Sequence, residues 1–181
     1  LISKEFEISN TFKATITQSD EYRVSVTLDD NLLEYLIEEK QNGNLRVRLK
    51  RGISVRSVTL EASISLPEMS KVDASGASEA TFSDFTASDD VDFIVSGASR
   101  ISGRLTAETV RLDLSGASRI ELAGTADEAS IEASGASSAR LEDFTVTSAT
   151  ASLSGASSAD LDVTGKIHEI DLSGASRLRY T

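Results

Sequence analysis

The amino-acid sequence predicts an all-β fold: one parallel β-helix, a solenoid of 19–21-residue coils, with a strand-rich cap at its amino-terminal end. Three observations carry this reading. The tetrapeptide Ser-Gly-Ala-Ser occurs six times between Ser75 and Ser176. Its glycines, Gly76, Gly97, Gly116, Gly135, Gly155 and Gly174, are spaced by 21, 19, 19, 20 and 19 residues. Apolar residues flank each copy with a period of two rather than 3.6.

The period is read from positions counted from each glycine. Four residues before it stand Val72, Phe93, Leu112, Ile131, Ala151 and Ile170, and two before it Ala74, Val95, Leu114, Ala133, Leu153 and Leu172. Four residues after it stand Ala80, Ile101, Ile120, Ala139, Ala159 and Leu178. The intervening positions are mostly Ser, Asp, Glu and Arg. Each repeat is therefore a strand into the motif, a bend and a strand out, with one face buried. Stretches such as "TAETV" and "TADEA" close the coil.

Stacked coils lie about 4.8 Å apart, so equivalent residues form columns. The motif is then a corner. By parity its glycine and its second serine (Ser78, Ser99, Ser118, Ser137, Ser157 and Ser176) point inward, where the coil narrows. The first serine and the alanine point outward. A nucleophile elbow needs a single G-x-S-x-G on a strand-to-helix turn, and none is present. Outward columns alternate in charge: Glu121, Arg140, Asp160 and Arg179 form one, and Glu79 with Arg100 begins another.

Residues 1–66 lack the motif but alternate in the same way, and are expected to form the cap and first coils, continuous with a repeat region over 67–181. Asn42-Gly43 marks a type I′ hairpin. "DDNLLEYLI" predicts a short helix with Asp30 or Asn31 as N-cap.

Composition excludes several functions. The net charge is −11 with no basic cluster suited to nucleic acid. There is no cysteine for thiolate or disulfide chemistry. His168 is the only histidine, which removes His-centred triads and multi-histidine metal sites, and it reads as a surface residue. No phosphate loop, dinucleotide fingerprint or calcium-binding repeat occurs, and no cofactor is expected. No apolar run approaches the roughly 20 residues that span a bilayer as a helix. A processed leader is the expectation for the start at Leu1.

The residues best placed for a cation or for carboxylate chemistry are Glu142, Asp160 and Asp162. Counted from the glycines, Glu142 and Asp162 fall at equivalent places on neighbouring coils, with Asp160 two residues before Asp162. Such a group could hold calcium, which takes oxygen ligands, or act in a polysaccharide lyase or hydrolase. Solvated charge on an acidic surface is the simpler account and the one adopted. Short coils and scarce aromatics also argue against a sugar-processing groove. An ice-binding face is disfavoured because the outward serine and alanine rows lack threonine.

"VDASGASEATF", "DLSGASRIEL" and "DLSGASRLRY", with the opening "FEISNTFKATITQSDEYRVSVTLDDNLLEYLIEEKQNGNLRVRLKRG", resemble the head GIN domain family of auto-transporter adhesins over essentially the whole chain. The resemblance implies a right-handed, single-stranded parallel β-helix exported to a bacterial envelope, or secreted, with no established catalytic residue. The expected function is non-enzymatic: adhesive binding of a cell-surface polymer or protein, or a structural role. Solenoid ends and flat faces also suit self-association.

Overall fold

The computed structural model describes residues 4–41, 43–53 and 58–181. It is a parallel β-solenoid of about six turns. Among the described residues fourteen strands form one continuous sheet: β1 (Glu5–Ile8), β2 (Lys13–Gln18), β3 (Arg23–Leu28), β4 (Leu36–Gln41), β5 (Asn44–Leu49), β6 (Leu60–Leu66), β7 (Lys71–Ala74), β8 (Glu79–Thr86), β9 (Val91–Val95), β10 (Arg100–Leu114), β11 (Arg119–Ala133), β12 (Ser138–Leu153), β13 (Ser158–Leu172) and β14 (Arg177–Tyr180). The 15- and 16-residue strands β10 to β13 each continue from one corner to the next.

The period-two pattern becomes the core. Phe6, Val72, Phe93, Leu112, Ile131, Ala151 and Ile170 stack in register, one per coil. Ile8, Ala74, Val95, Leu114, Ala133, Leu153 and Leu172 form the next column. Most of these side chains are fully shielded, each large one contributing about 1.5–3 kcal/mol relative to exposure. Large and small residues alternate where space is short. The ring of Phe82 stacks on Phe93 with centroids 5.8 Å apart, and lies over Gly103, where a Cβ would stand 2.4 Å from the ring.

Sequence order and stacking order differ at the amino-terminal end. The coil made by β1 and β2 is sandwiched: β1 lies between β5 and β7, and β2 between β6 and β8, all parallel. After β2 the chain folds back beneath its own first coil, then passes over it to begin the repeats. β3 runs antiparallel on β6, and β4 antiparallel on β5. These strands cover the parallel edges that the solenoid would otherwise expose at that end.

The β4–β5 hairpin joins Gln41 to Asn44, with Gly43 at φ +83°. Asn42, the other half of the expected turn, lies outside the described residues. The short helix is a 3₁₀ helix, Asp30–Tyr35, whose N-cap position is Asp29 rather than Asp30 or Asn31. The Leu32 amide donates to the Asp29 carbonyl at 2.8 Å, and no side chain caps the helix. One buried residue, Leu32, anchors it, too little for a longer α-helix, and Leu36 and Ile37 join β4 instead.

Candidate functional site

Each motif places its glycine in the left-handed region, with φ between 71° and 77°. The backbone ladder continues through the turn. The amides of Ala98, Ala117, Ala136, Ala156 and Ala175 donate to the carbonyls of Gly76, Gly97, Gly116, Gly135 and Gly155 at 2.7–2.8 Å. A Cβ on any glycine from Gly97 to Gly174 in this column would stand 2.4–2.6 Å from the carbonyl oxygen of the glycine below. Glycine is needed here for its backbone angles and for close backbone approach.

The inward placement of the glycines is corrected by this geometry: they are exposed, as are the alanines, while Ser78, Ser99, Ser118, Ser137 and Ser157 are buried. Ser176, on the last coil, is half-buried. The buried hydroxyls close the turn. Ser78, Ser137 and Ser157 donate to the carbonyls of Ser75, Ser134 and Ser154 at 2.6, 2.9 and 2.9 Å. These serines face the core, and the hydroxyls of Ser78 and Ser99 lie 3.4 Å apart.

The column has an earlier member with a different sequence. Register places Ser9-Asn10-Thr11-Phe12 at the corner of the first coil, level with Ser75-Gly76-Ala77-Ser78. Asn10 takes the glycine's place at φ +67°, and fully buried Phe12 takes that of the second serine. Asparagine is among the few side-chain-bearing residues that tolerate this backbone, which is the signal that marks the corner.

Two sets of outward columns flank the corner. Glu61, Lys13, Glu79, Arg100 and Arg119 stand side by side on five neighbouring strands. Glu121, Arg140, Asp160 and Arg179 alternate in sign on four. Arg179 reaches Asp160 at 3.8 Å. Beside these charges the exposed Ala77, Ala98, Ala117 and Ala136 line an open groove of about 260 Å³ that crosses four coils.

On the other side of the corner, Asp73 is half-buried. Burial, and then the neighbouring Glu7 carboxylate, push its pKa above the usual carboxylate value. Further along, Arg111 bridges Asp90 at 2.7 Å and Asp92 at 3.4 Å, and the Arg111 hydrogen bond holds the Asp90 pKa below its ordinary value.

The third side of the coil carries a threonine column that pattern reading missed: Thr86, Thr106, Thr125 and Thr145 are in register. Its foot is closed by Gln18. The Gln18 side chain donates through Nε2 to the Thr86 carbonyl at 2.8 Å, and its Oε1 accepts from the Thr86 backbone amide at 2.9 Å, in place of a strand.

The three acids do not gather. Leu141 faces Leu161, but the next pair in register is Thr145 with Asp162, so Glu142 bulges out of the ladder. Asp162 accepts from the Thr145 hydroxyl at 2.7 Å. Asp160 lies between Arg140 and Arg179. Glu142 and Asp162 therefore do not occupy equivalent places, because counting from the glycines ignores the bulge. Among the described residues no group of three His, Cys, Asp or Glu side chains is arranged to hold a cation. His168 is exposed.

Residues 4–181 match the family described as "Putative auto-transporter adhesin, head GIN domain". The chain belongs to the head GIN domain family. Among solved structures it is similar to a putative adhesin from Bacteroides fragilis NCTC 9343, at 16% identity and a TM-score of 0.86, covering 100% of this chain and 93% of the other. A putative adhesin from Parabacteroides distasonis ATCC 8503 is similar at 17% identity and a TM-score of 0.69, with the same coverage. A putative lipid binding protein from the same strain is similar at 18% identity and a TM-score of 0.64, covering 99% and 93%. At these identities the likeness is one of fold. No curated protein matches the chain.

Proposed function

We propose that this protein is an exported, non-enzymatic module of the cell envelope that binds an extended cell-surface polymer along its rigid outer columns. Residues 1–66 serve as the cap and first coils, and residues 67–181 as the repeated binding scaffold. The observation that carries the reading is the axial groove over Ala77, Ala98, Ala117 and Ala136, flanked by Glu79, Arg100 and Arg119. A regular polymer meets the same backbone shape at each coil, about 4.8 Å on from the last. Membership of an adhesin family supports this reading. No helix among the described residues is long and apolar enough to cross a membrane.

The reading is tested by retention of the purified chain on a panel of immobilised polysaccharides, with and without calcium, while soluble fragments are measured in the same wells. Retention without fragments is expected. Fragment release that is lost in Asp160→Ala or Asp162→Ala would establish a lyase or hydrolase instead. Absence of both retention and fragments would remove polymer binding.

A further inference from the structure

A second concavity opens on the other side of the corner, at the cap. It has a volume of about 370 Å³ and is lined by Arg46, Arg48 and Arg51 together with Ser9, Asn10 and Ser75. Glu7 is its single acidic residue. Three guanidiniums around one hollow are unexpected on a chain with 29 acids and 18 bases.

Only one of the three is neutralised. Arg46 donates to Glu7 at 2.7 Å and lies 3.6 Å from Glu39. Neither Arg48 nor Arg51 has a carboxylate within 4.0 Å among the described residues. The residues outside that description contain no Asp or Glu. Two guanidiniums are thus left for a ligand, and a guanidinium's fork of N–H donors matches the geometry of a carboxylate, sulfate or phosphate.

The floor of the cleft is held in place. The Asn10 side-chain oxygen accepts from the Leu49 amide at 3.2 Å and from the Ser9 hydroxyl at 3.1 Å, tying the corner to the strand that carries Arg46 and Arg48. Asn10 and Thr11 both hold positive φ, 67° and 73°, which keeps the turn tight. The cleft also adjoins the axial groove: Ser75 lines the cleft and Ala77, two residues on in the same corner, lines the groove.

We propose that this cleft is an oxyanion site in which Arg48 and Arg51 bind acidic groups, and, resting on the polymer-binding reading above, that those groups are the carboxylates or sulfates of an acidic polysaccharide lying along the corner. Ser9 and Ser75 line the cleft beside the two guanidiniums, their hydroxyls donated to the Asn10 side-chain oxygen and the Ile8 carbonyl. Arg46 stays with Glu7 and sets the cleft wall.

The test measures binding of oligogalacturonate, dextran sulfate and neutral dextran to the 181-residue chain, and follows arginine side-chain NMR signals during titration with inorganic sulfate. The acidic polymers bind and neutral dextran binds more weakly. In Arg48→Gln/Arg51→Gln the affinity for the acidic polymers falls by about tenfold or more, as expected for two lost charge-assisted contacts. The control Arg23→Gln/Arg104→Gln, with the same change in net charge at residues that line neither the cleft nor the groove, changes it by less than about twofold, since distant exposed charges are screened. Arg51 is exposed, so Arg51→Gln alone reports without risk to the fold, and circular dichroism verifies both double variants. Equal losses in the two double variants would overturn the site. So would polymer binding that ignores acidity and both variants, although the adhesive reading would then survive. Sulfate shifts confined to Arg48 and Arg51 without polymer retention would keep the oxyanion site and remove its polymeric source. Absence of all binding would remove both.

Discussion

Gly97 lies so close over Gly76 that a Cβ on the upper residue would stand 2.4 Å from the lower carbonyl oxygen. That oxygen already accepts the Ala98 amide at 2.8 Å, so it cannot move without breaking the ladder. Gly97→Ala is expected to lose about 2–4 kcal/mol, the left-handed backbone cost plus a displaced hydrogen bond. Gly43 shares the positive φ, but a Cβ there meets nothing within 4 Å among the described residues. Gly43→Ala should lose only the backbone cost, about 1–2 kcal/mol. Urea unfolding of both variants checks the difference.

The buried serines separate by their hydrogen bonds. Ser157 donates to the carbonyls of Ser154 and Ala133 at 2.9 and 3.1 Å, whereas the buried Ser118 hydroxyl has no partner among the described residues. Ser157→Ala should cost about 1–2 kcal/mol, and Ser118→Ala should stay within about 0.5 kcal/mol of the parent or exceed it. The same unfolding assay decides, and equal losses would refute the distinction.

Asp73 makes stability depend on pH. Its pKa is raised by burial first and by Glu7 second, against the opposing pull of Lys71 and Arg46, with Asp113 adding a smaller push upward. The folded chain therefore holds this proton at pH values where the unfolded chain has released it. Stability falls as pH rises from the unfolded value, near 3.9, through the folded one. Asp73→Asn should raise the melting temperature at pH 7, and the gain should vanish at pH 3, where both states of the parent are protonated. A gain that persists at pH 3 would assign the effect to packing.

Arg140 stands between Glu121 and Asp160 on adjacent strands. Arg140→Glu puts three acids in a row and should cost about 1 kcal/mol at low ionic strength, because like charges on paired strands repel. Salt at 1 M shortens the screening length to about 3 Å and should recover most of that loss. Melting curves at the two salt levels measure it.

The parts of the fold that were legible in sequence are those with one local cause. Alternation marked the strands, and the glycine spacing marked the coil length. The fold-back that puts β1 and β2 between later strands was not legible, because a strand alternates identically whether its neighbour is parallel or antiparallel, earlier or later in the chain. The corner Ser9-Asn10-Thr11-Phe12 escaped because the turn demands a backbone angle that Asn10 satisfies as well as Gly76 does. Parity misplaced the motif glycines because a tight turn interrupts the alternation on which parity rests. The acidic group failed for a related reason: a position counted from Gly135 drifts out of register once the chain bulges at Glu142. The Arg48–Arg51 cleft could not be read, since Ser9, Arg48 and Ser75 are far apart in sequence and meet only through strand order.

Two coils are longer than 19 residues between their glycines from Gly76 to Gly155, and each admits one extra residue at the same vertex, the longer coil taking its second between Thr86 and Val91. The ladder slips between Gly103 and Leu105 against Phe82 and Phe85, where Asp84 turns to φ +45°, and slips again past Leu141. At the glycine vertex no such slip occurs. One edge of the prism thus behaves as a fixed spine and another as a seam that opens outward. Loops grafted at Ser83-Asp84 or Glu142-Asp143 would leave the spine untouched, so lineages carrying this scaffold can acquire new surface specificity by insertion at the seam without redesigning the stack beneath it.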